Sequence, residues 1–246
     1  MKKKFKGIAI DADFLLFQCC EGAYVKDNTF DNEKVDLKPF KVRLKQLVLD
    51  IQDEVAVELL GTAKLGKKIE LLFSDPDTNF RYDIFADYKA NRKGSTRSDT
   101  FYRLRKWALK KYDYVKDVEA DDRCADALKR GFIVCSFDKD VLKTLAGTFF
   151  DTYHSRRGIK VTSELEAQRF LLTQSVMGDP TDNILGIPRV AEKTAIKLLD
   201  EFGWDWQGVV KAYKSKGLVE KDAILTMRLV NLTQWTPKKG VVLWTP

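Results

Sequence analysis

The chain of 246 residues is poor in histidine and cysteine, and it contains no long apolar run. Its one histidine, His154, lies in a Tyr-His-Ser-Arg-Arg stretch, which argues against histidine-based acid–base catalysis or zinc binding. The four cysteines include no CxxC pair, so the sequence favours neither a zinc site nor a disulfide framework and fits a reducing compartment. No segment approaches ~18 uninterrupted apolar residues, which predicts a protein without a membrane-spanning helix.

Basic residues outnumber acidic ones, and the formal net charge is +7. A positive excess of this kind favours a polyanionic partner, with nucleic acid the first expectation and a membrane surface the second. The hydrophobic fraction of 44% is ordinary for a globular chain that buries a core.

Acidic residues are grouped where predicted strands end or predicted helices begin. Strand-like apolar runs cover Phe5–Ile10, Ile69–Ser74 and Phe132–Phe137, and acids follow each of them. Ligands of an open parallel sheet bind beyond the carboxyl ends of its strands, so these carboxylates are expected to converge there. The acids in these groups are Asp11, Asp13, Asp75, Glu119, Asp121, Asp122, Asp138, Asp140, Asp179 and Asp182.

Each acid taken alone has a simpler explanation as a turn former or a helix cap. The whole set is harder to explain in that way, because crowded carboxylates repel one another and their pKa values are expected to rise. A hard divalent cation relieves this repulsion, since Mg²⁺ and Mn²⁺ prefer oxygen ligands. The set therefore predicts two metal ions ~4 Å apart that clamp a phosphodiester.

Two further segments suit a nucleic-acid substrate. Basic residues with interleaved tyrosines lie between the second and third acidic groups, and such a mixture fits phosphates and stacked bases, although a solvated charged loop is the simpler alternative. These residues are Arg81, Tyr82, Tyr88, Lys89, Arg92, Lys93 and Arg97. In the second segment, 186–197, a glycine-bearing turn leads into a helix whose first amides and lysines suit a phosphate. The alternative is an ordinary helical hairpin.

Strand and helix patterns alternate up to about residue 162, and helices dominate after it. This order predicts an α/β fold with a central, mostly parallel sheet and a helical C-terminal part. The expected division is 1–162 for the α/β domain and 163–246 for the helical part, which also supplies Asp179 and Asp182 to the site.

Several motifs resemble the 5′-nuclease, or flap endonuclease, superfamily, and they occur in the family order. They are Ile-Asp-Ala-Asp, Phe-Ser-Asp, Phe-Arg-Tyr, Tyr-Lys-Ala-Asn-Arg, Glu-Ala-Asp-Asp, Asp-Lys-Asp and Gly-Asp-Pro-Thr-Asp-Asn-Ile-Leu-Gly-Ile-Pro. The resemblance extends from about residue 5 to residue 203 and is strongest to phage 5′→3′ exonucleases and the 5′-nuclease domain of bacterial DNA polymerase I. One departure is Ala12 followed by Asp13, where the family usually has glycine or serine after the first aspartate.

The resemblance implies a PIN-like domain with a helix-three-turn-helix element, and it implies residue roles by position. Asp11, Asp75, Glu119 and Asp121 would serve one metal, and Asp121, Asp138, Asp140 and Asp179 the other, with Asp122 and Asp182 acting directly or through water. Lys89 matches the active-site lysine, and Arg81 and Arg92 match basic residues that contact phosphates near the scissile bond. Phe17 matches an aromatic residue that stacks on a terminal base, beside Tyr82, Tyr88 and Lys93. The duplex-binding element would include Gly186, Arg189, Lys193, Thr194 and Lys197, and its backbone carbonyls bind a potassium ion in the family.

The function implied is magnesium-dependent cleavage of DNA at 5′ flaps, nicks and duplex 5′ ends, by a monomer without membrane association. The expected setting is replication in the cytoplasm of a bacterial or phage-infected cell. A PIN-type ribonuclease and a structure-specific DNA-binding protein without turnover are the alternatives. The duplex-binding segment argues against the first alternative, and the full set of carboxylates argues against the second.

Overall fold

The central sheet is built on a strand that is buried on both faces. A computed structural model describes residues 3–20, 36–92 and 97–246. Strand β1 (Lys3–Asp11) lies between β2 (Ala63–Leu72) and β3 (Ile133–Ser136), followed by β4 (Gly147–Asp151) and β5 (Gly158–Thr162), in the order β2-β1-β3-β4-β5. The β1–β2, β1–β3 and β3–β4 pairs are parallel, which confirms the predicted α/β class and mostly parallel sheet.

Gly7 marks the one irregular point of β1. The register with β2 shifts between Phe5 and Gly7, and Gly7 has a φ of 155°. A Cβ at this position would lie 1.8 Å from the carbonyl oxygen of Lys68, so only glycine lets the two backbones approach in this way.

Along the chain, the described helices of the α/β part lie between β1 and β4. They are α1 (Ala12–Cys20), α2 (Lys38–Glu58), α3 (Phe80–Ile84), α4 (Asp99–Lys111), α5 (Ala120–Lys129) and α6 (Lys139–Thr144). Pro39 stands in the first turn of α2, where its missing N–H costs nothing. Ser98 caps α4 by accepting a hydrogen bond from the Phe101 amide at 3.2 Å.

Helices dominate the rest of the chain, as predicted. They are α7 (Glu164–Met177), α8 (Glu192–Phe202), α9 (Trp206–Lys214) and α10 (Glu220–Val230). Two-residue strands pair β6 (Gly178–Asp179) with β7 (Ile184–Leu185) and β8 (Trp235–Thr236) with β9 (Gly240–Val241), both antiparallel. The sequence alone predicts a helix over Glu164–Met177, and α7 has these bounds, whereas α3 and the β8–β9 pair were not predicted. None of the described helices has the length and apolar content that crossing a bilayer requires.

The chain forms two compact units, each with its own core. The first comprises Met1–Asp77, Ser95–Asp138 and Thr148–Val161, and the second comprises Thr78–Gly94, Lys139–Gly147 and Thr162–Pro246. The division therefore differs from a single boundary near residue 162, because segments around α3 and α6 belong to the second unit. The first core packs β1 and α1 side chains such as Ile8, Ile10 and Leu15 against α2, and the second packs α7 to α10 around Tyr213.

Candidate active site

In the first unit, a serine hydroxyl joins two of the predicted acids. Asp11 is the last residue of β1, and Ser136 is the last residue of the neighbouring strand β3. The Ser136 hydroxyl donates to Oδ2 of Asp11 at 3.3 Å, and it accepts from the amide of Asp138 at 3.1 Å. The parallel register that pairs Ile10 with Cys135 therefore sets Asp11 and Asp138 on either side of one hydroxyl.

The surroundings of Asp11 disfavour its charged form. Burial is the largest cause, followed by the charges of Asp13 and Asp138, and together they raise the pKa of Asp11 to about 8. Burial also raises the pKa of Asp13, whose Oδ2 accepts from the Ser74 amide at 3.2 Å. Oδ1 of Asp13 is buried and has no hydrogen-bond partner. Carboxylates in this condition are suited to a cation.

Other predicted acids of the first unit stabilise turns and a helix start. Oδ1 and Oδ2 of Asp75 accept from the amides of Asp77 at 2.9 Å and Asp117 at 2.7 Å. Asp122 is fully buried in α5 and accepts from the Glu119 amide at 3.4 Å, a capping contact. These acids thus make the local contacts that the simpler explanation predicts, and a capping carboxylate still has a second oxygen for other partners.

Within the second unit, a glutamine joins Asp140 to Asp179. Nε2 of Gln174 lies 2.9 Å from Oδ1 of Asp140 and 3.5 Å from Oδ2 of Asp179. Asp179 is buried, which by itself would raise its pKa, but Lys139 at 3.5 Å and the amide of Thr181 outweigh burial and lower the pKa. The expectation of a raised pKa is therefore wrong for Asp179, because the sequence does not reveal these stabilising partners.

The Asp182 carboxylate contacts basic side chains that were predicted to bind phosphate. Its Oδ2 lies 3.6 Å from Nζ of Lys89 and accepts from the Tyr88 hydroxyl at 3.2 Å. Its Oδ1 pairs with Nη2 of Arg92, which is half exposed. The carboxylate therefore orients two cations that still have exposed surface.

Two residues predicted to touch the substrate are buried. Arg81 has no exposed surface, and its Nε and Nη2 donate to the carbonyls of Leu229 at 2.8 Å and Asn231 at 3.3 Å. Tyr88 is 3% exposed, with the guanidinium of Arg81 5.9 Å from its ring centroid. Arg81 is too buried to contact a phosphate, and Tyr88 is too buried to stack on a base. Both side chains instead support their own segment from the protein interior.

The remaining aromatic candidates are accessible. Tyr82 is exposed, and Phe17 is partly exposed with the guanidinium of Arg97 4.4 Å from its ring centroid. The prediction for Lys93 lies outside the described residues.

The predicted duplex-binding segment presents its polar residues to solvent. Arg189, Lys193, Thr194 and Lys197 are exposed at and after the start of α8, while Ile187 and Ala195 pack inward. Arg189 adopts a left-handed backbone with a φ of 62°, in the turn that leads into the helix. Gly186 and Arg189 also line a cavity of about 840 Å³ in this unit. The helix-three-turn-helix assignment and its potassium ion stay predictions.

Among the described residues, no group of three or more histidine, cysteine, aspartate or glutamate side chains is close enough to hold a metal ion. The chemistry of the donors nevertheless fits one, because they are carboxylates and Oδ1 of Asp13 is buried without a partner. A nearby cation would also lower the raised pKa of Asp11. The assignment of metal ligands stays a prediction.

Several site residues were not identified from the sequence. Ser136 and Gln174 each bridge two acids, and Asn91 and Asn183 join two loops. Ser136 is the polar end of an apolar strand, a signal that sequence reasoning could have used. Gln174 lies inside α7, where nothing distinguishes it before the fold is known.

Sequence comparison finds similarity to a bacterial 5′–3′ exonuclease and to bacterial DNA polymerase I. The 5′–3′ exonuclease of Buchnera aphidicola subsp. Acyrthosiphon pisum is 29% identical over 155 residues, which cover 55% of this chain and 54% of that protein. DNA polymerase I of Geobacillus stearothermophilus is 36% identical over 158 residues, covering 55% of this chain and 18% of the polymerase. The matched region thus spans about half the length of the exonuclease and under a fifth of the polymerase. No protein-family profile matches the chain.

Structural comparison shows a shared fold. The bacteriophage T5 flap endonuclease, in a pseudo-enzyme–product complex with DNA and metal ions, has a TM-score of 0.67 and 18% identity, covering 92% of this chain and 89% of that chain. The T5 5′-exonuclease with bound zinc has a TM-score of 0.66 and 18% identity, covering 94% and 90%. Both likenesses agree with the α/β class and the parallel sheet described above.

Proposed function

We propose, since the chain belongs to the 5′-nuclease superfamily, that it is a divalent-metal-dependent nuclease that hydrolyses DNA phosphodiesters near 5′ ends. Flaps, nicks and duplex 5′ ends are the proposed substrates, for both 5′→3′ exonuclease and flap endonuclease activity. The observation that carries the proposal is the group Asp11, Asp13 and Asp138 at the carboxyl edge of the sheet, where burial and the charges of Asp13 and Asp138 together raise the pKa of Asp11 to about 8. A protein that only bound DNA would gain nothing from such acids, because they repel phosphate.

The predicted acids of each unit are proposed as metal ligands. Asp11, Asp138, Glu119 and Asp121 supply oxygen ligands in the first unit, and Asp140 and Asp179 supply them in the second. Mg²⁺ or Mn²⁺ suits this donor set, and two bound ions would lower the pKa of water and balance charge on the phosphoryl oxygens. The Ser136 hydroxyl holds the Asp11 carboxylate in place, and Gln174 does the same for Asp140.

Basic residues are proposed to bind and orient the DNA. Lys89 and Arg92 stabilise negative charge on the phosphoryl group, and the Asp182 carboxylate sets their directions. We assign Asp182 to this orienting role, since its two oxygens already pair with these cations. Phe17 and Tyr82 offer surfaces for bases, and Arg189, Lys193, Thr194 and Lys197 contact the duplex backbone. Such an enzyme would serve replication in the cytoplasm of a bacterial or phage-infected cell.

One assay separates this proposal from its alternatives. The protein is incubated with 5′-labelled flap DNA, nicked duplex and single-stranded RNA, in MgCl₂ and in EDTA. We expect cleavage of both DNA substrates in MgCl₂ only. Cleavage of RNA in preference to DNA would identify a PIN-type ribonuclease, and tight flap binding without any product would identify a DNA-binding protein.

The variants Asp121→Asn and Asp140→Asn test the acids themselves. Both should abolish cleavage while flap affinity stays within about tenfold of wild type, because the acids hold metal rather than DNA. Asparagine at position 140 keeps an oxygen that accepts from Gln174, so the local structure is preserved. Turnover at the wild-type rate by either variant would overturn the metal assignment.

A further inference from the structure

Two loops of the second unit are joined by their backbones and by two asparagines. We call residues 85–92 the basic loop and residues 179–183 the acidic loop. The Lys89 amide donates to the Asp182 carbonyl at 2.8 Å, and Nδ2 of Asn183 donates to the Asp87 carbonyl at 2.7 Å. Nδ2 of Asn91 donates to the carbonyls of Pro180 at 2.8 Å and Thr181 at 3.2 Å. Three successive carbonyls of the acidic loop thus accept from the basic loop.

Each loop has one non-glycine residue in the left-handed region. Lys89 has a φ of 54° and Asn183 a φ of 57°. Asparagine tolerates this conformation, whereas it is uncommon for lysine. A residue keeps a sparsely populated conformation only where its surroundings determine it, and here the bond from the Lys89 amide to Asp182 does so.

The backbone junction lies directly beneath the cationic side chains. Lys89 and Arg92 both reach the Asp182 carboxylate, and Nε of Arg92 also lies 3.4 Å from the Thr181 carbonyl. A shift of one loop against the other would therefore move both cations relative to Asp179 and Asp182. The Nδ2 group of Asn91 has two hydrogens, and the carbonyls of Pro180 and Thr181 take both, so this amide is committed to the junction.

We infer that Asn91 and Asn183 are positioning residues, which hold the two loops as one piece and thereby fix where Lys89 and Arg92 present their charges to a DNA phosphate. The inference rests on the proposed function and assigns to it two residues that do not touch the substrate. Charges held in place before the reaction stabilise the transition state more than charges that must first be ordered. Loss of either asparagine should therefore slow the chemical step more than it weakens binding.

The test compares Asn91→Ala and Asn183→Gly with wild type. Glycine keeps the left-handed backbone at position 183 and removes only the side-chain bond to Asp87. Asp83→Ala, which trims an exposed side chain on α3, is the matched control. Each protein is assayed for single-turnover cleavage of a flap in MgCl₂ and for flap affinity in EDTA, with a thermal melt to confirm folding.

We expect both asparagine variants to cleave ~10- to 100-fold more slowly, with flap affinity changed by less than about threefold, while the control keeps the wild-type rate. A merely structural role would lower the melting temperature without this separation of rate from affinity. Wild-type rates in both variants, or equal losses in rate and affinity, would overturn the inference.

A double-mutant cycle identifies the group through which Asn91 acts. In a background that lacks both cations (Lys89→Ala with Arg92→Ala), Asn91→Ala should cost much less than it does in wild type, because the charges that it positions are already gone. Fully additive losses would show that Asn91 acts elsewhere and would also overturn the inference. If wild type cleaves no substrate, the proposed function itself is wrong and the inference falls with it, whereas failure of the variants alone leaves the proposed function standing.

Discussion

Asp11 and Asp179 are the same residue type in acidic groups, and their neighbours drive their pKa values in opposite directions. Asp11 ends a buried strand beside two other carboxylates, so burial and repulsion raise its pKa to about 8. Asp179 is also buried, but Lys139 and the amide of Thr181 lower its pKa. A cation bound near Asp11 would supply what Lys139 supplies to Asp179.

The raised pKa of Asp11 predicts a pH-dependent penalty in the metal-free protein. The folded state binds a proton at Asp11 up to about pH 8, and the unfolded chain binds it only up to about the ordinary value of 3.8. Folding stability should therefore fall as pH rises from about 4 to about 8 and change no further above that range, as far as this group contributes. Asp11→Asn removes the penalty and keeps an oxygen for the Ser136 hydroxyl.

Thermal melts in EDTA across pH 4–8 measure this effect. The melting temperature of Asp11→Asn should rise relative to wild type as pH increases, by about 2–4 °C for each kcal/mol of relieved repulsion. Asp83→Asn removes an exposed acid and serves as the control, with no such trend expected. A difference between Asp11→Asn and wild type that is independent of pH would contradict a raised pKa of Asp11.

Which residues carry charge at the sheet edge could be predicted, because strand ends and turns are local features of the sequence. Their partners could not be predicted, since Ser136 meets Asp11 across 125 positions and Asn91 meets Pro180 across 89. Burial of Arg81 was likewise hidden, because an arginine beside tyrosines in a basic segment is more often at the surface. The positions of the charged residues could thus be predicted from the sequence, whereas the burial and the contacts of each charged side chain could not.

At the scale of elements, long helices with clear boundaries were predicted well. Helix α7 begins at a Ser163–Glu166 capping box and ends at Gly178, and both are recognisable in the sequence. Helix α3 has five residues, too few to show a periodicity, and it depends on the Asn79 cap and on the bonds of Arg81 to Leu229 and Asn231. Elements that are stabilised mainly by contacts with residues distant in the sequence cannot be predicted from local sequence patterns.

The contact between α5 and β2 is expected to depend on one bidentate ion pair, between Arg130 and Glu70. Arg130, at the end of α5, donates to both carboxylate oxygens of Glu70 on β2, at 2.8 and 2.6 Å. Hydrogen bonding from Arg130 is the largest cause that lowers the pKa of Glu70 from 4.5 to about 2. A lowered pKa in an acid means that the stabilisation is present above the unfolded value of 4.5 and is lost as pH falls towards about 2.

Glu70→Gln should therefore lower the melting temperature at pH 7 by about 2–4 °C, and the difference from wild type should shrink below about pH 4. The pair is partly solvated, which keeps the expected shift small. Glu164→Gln, at an exposed position on α7, does not disturb this pair and serves as the comparison. A difference that persists undiminished to pH 3 would show that Glu70 stabilises the protein by packing rather than by charge.

At the scale of the whole molecule, the net charge of +7 understates the basic character of the surface, since several acids are buried. The exposed cations of α8 should account for part of DNA binding. Lys193→Ala with Lys197→Ala should weaken duplex binding equally for different sequences, and the slope of log affinity against log salt should decrease by about one to two units, because each phosphate contact contributes ~0.9.

The control is Lys64→Ala with Lys67→Ala, which removes the same charge from exposed positions near the amino end of β2. Its salt slope should stay close to that of wild type, since this end of the strand lies opposite the carboxyl edge. Equal changes in the two double variants would show that net charge, rather than α8, controls the affinity.

The anchor of Arg81 also has a consequence for biosynthesis. Its two carbonyl partners, on Leu229 and Asn231, are synthesised 148 and 150 positions later, so this anchor cannot form until that further length of chain has been made. Until then, the segment that carries Lys89 and Arg92 lacks the hydrogen bonds by which Arg81 anchors it. A nascent chain that ends before Leu229 therefore carries these basic residues without the anchor of Arg81.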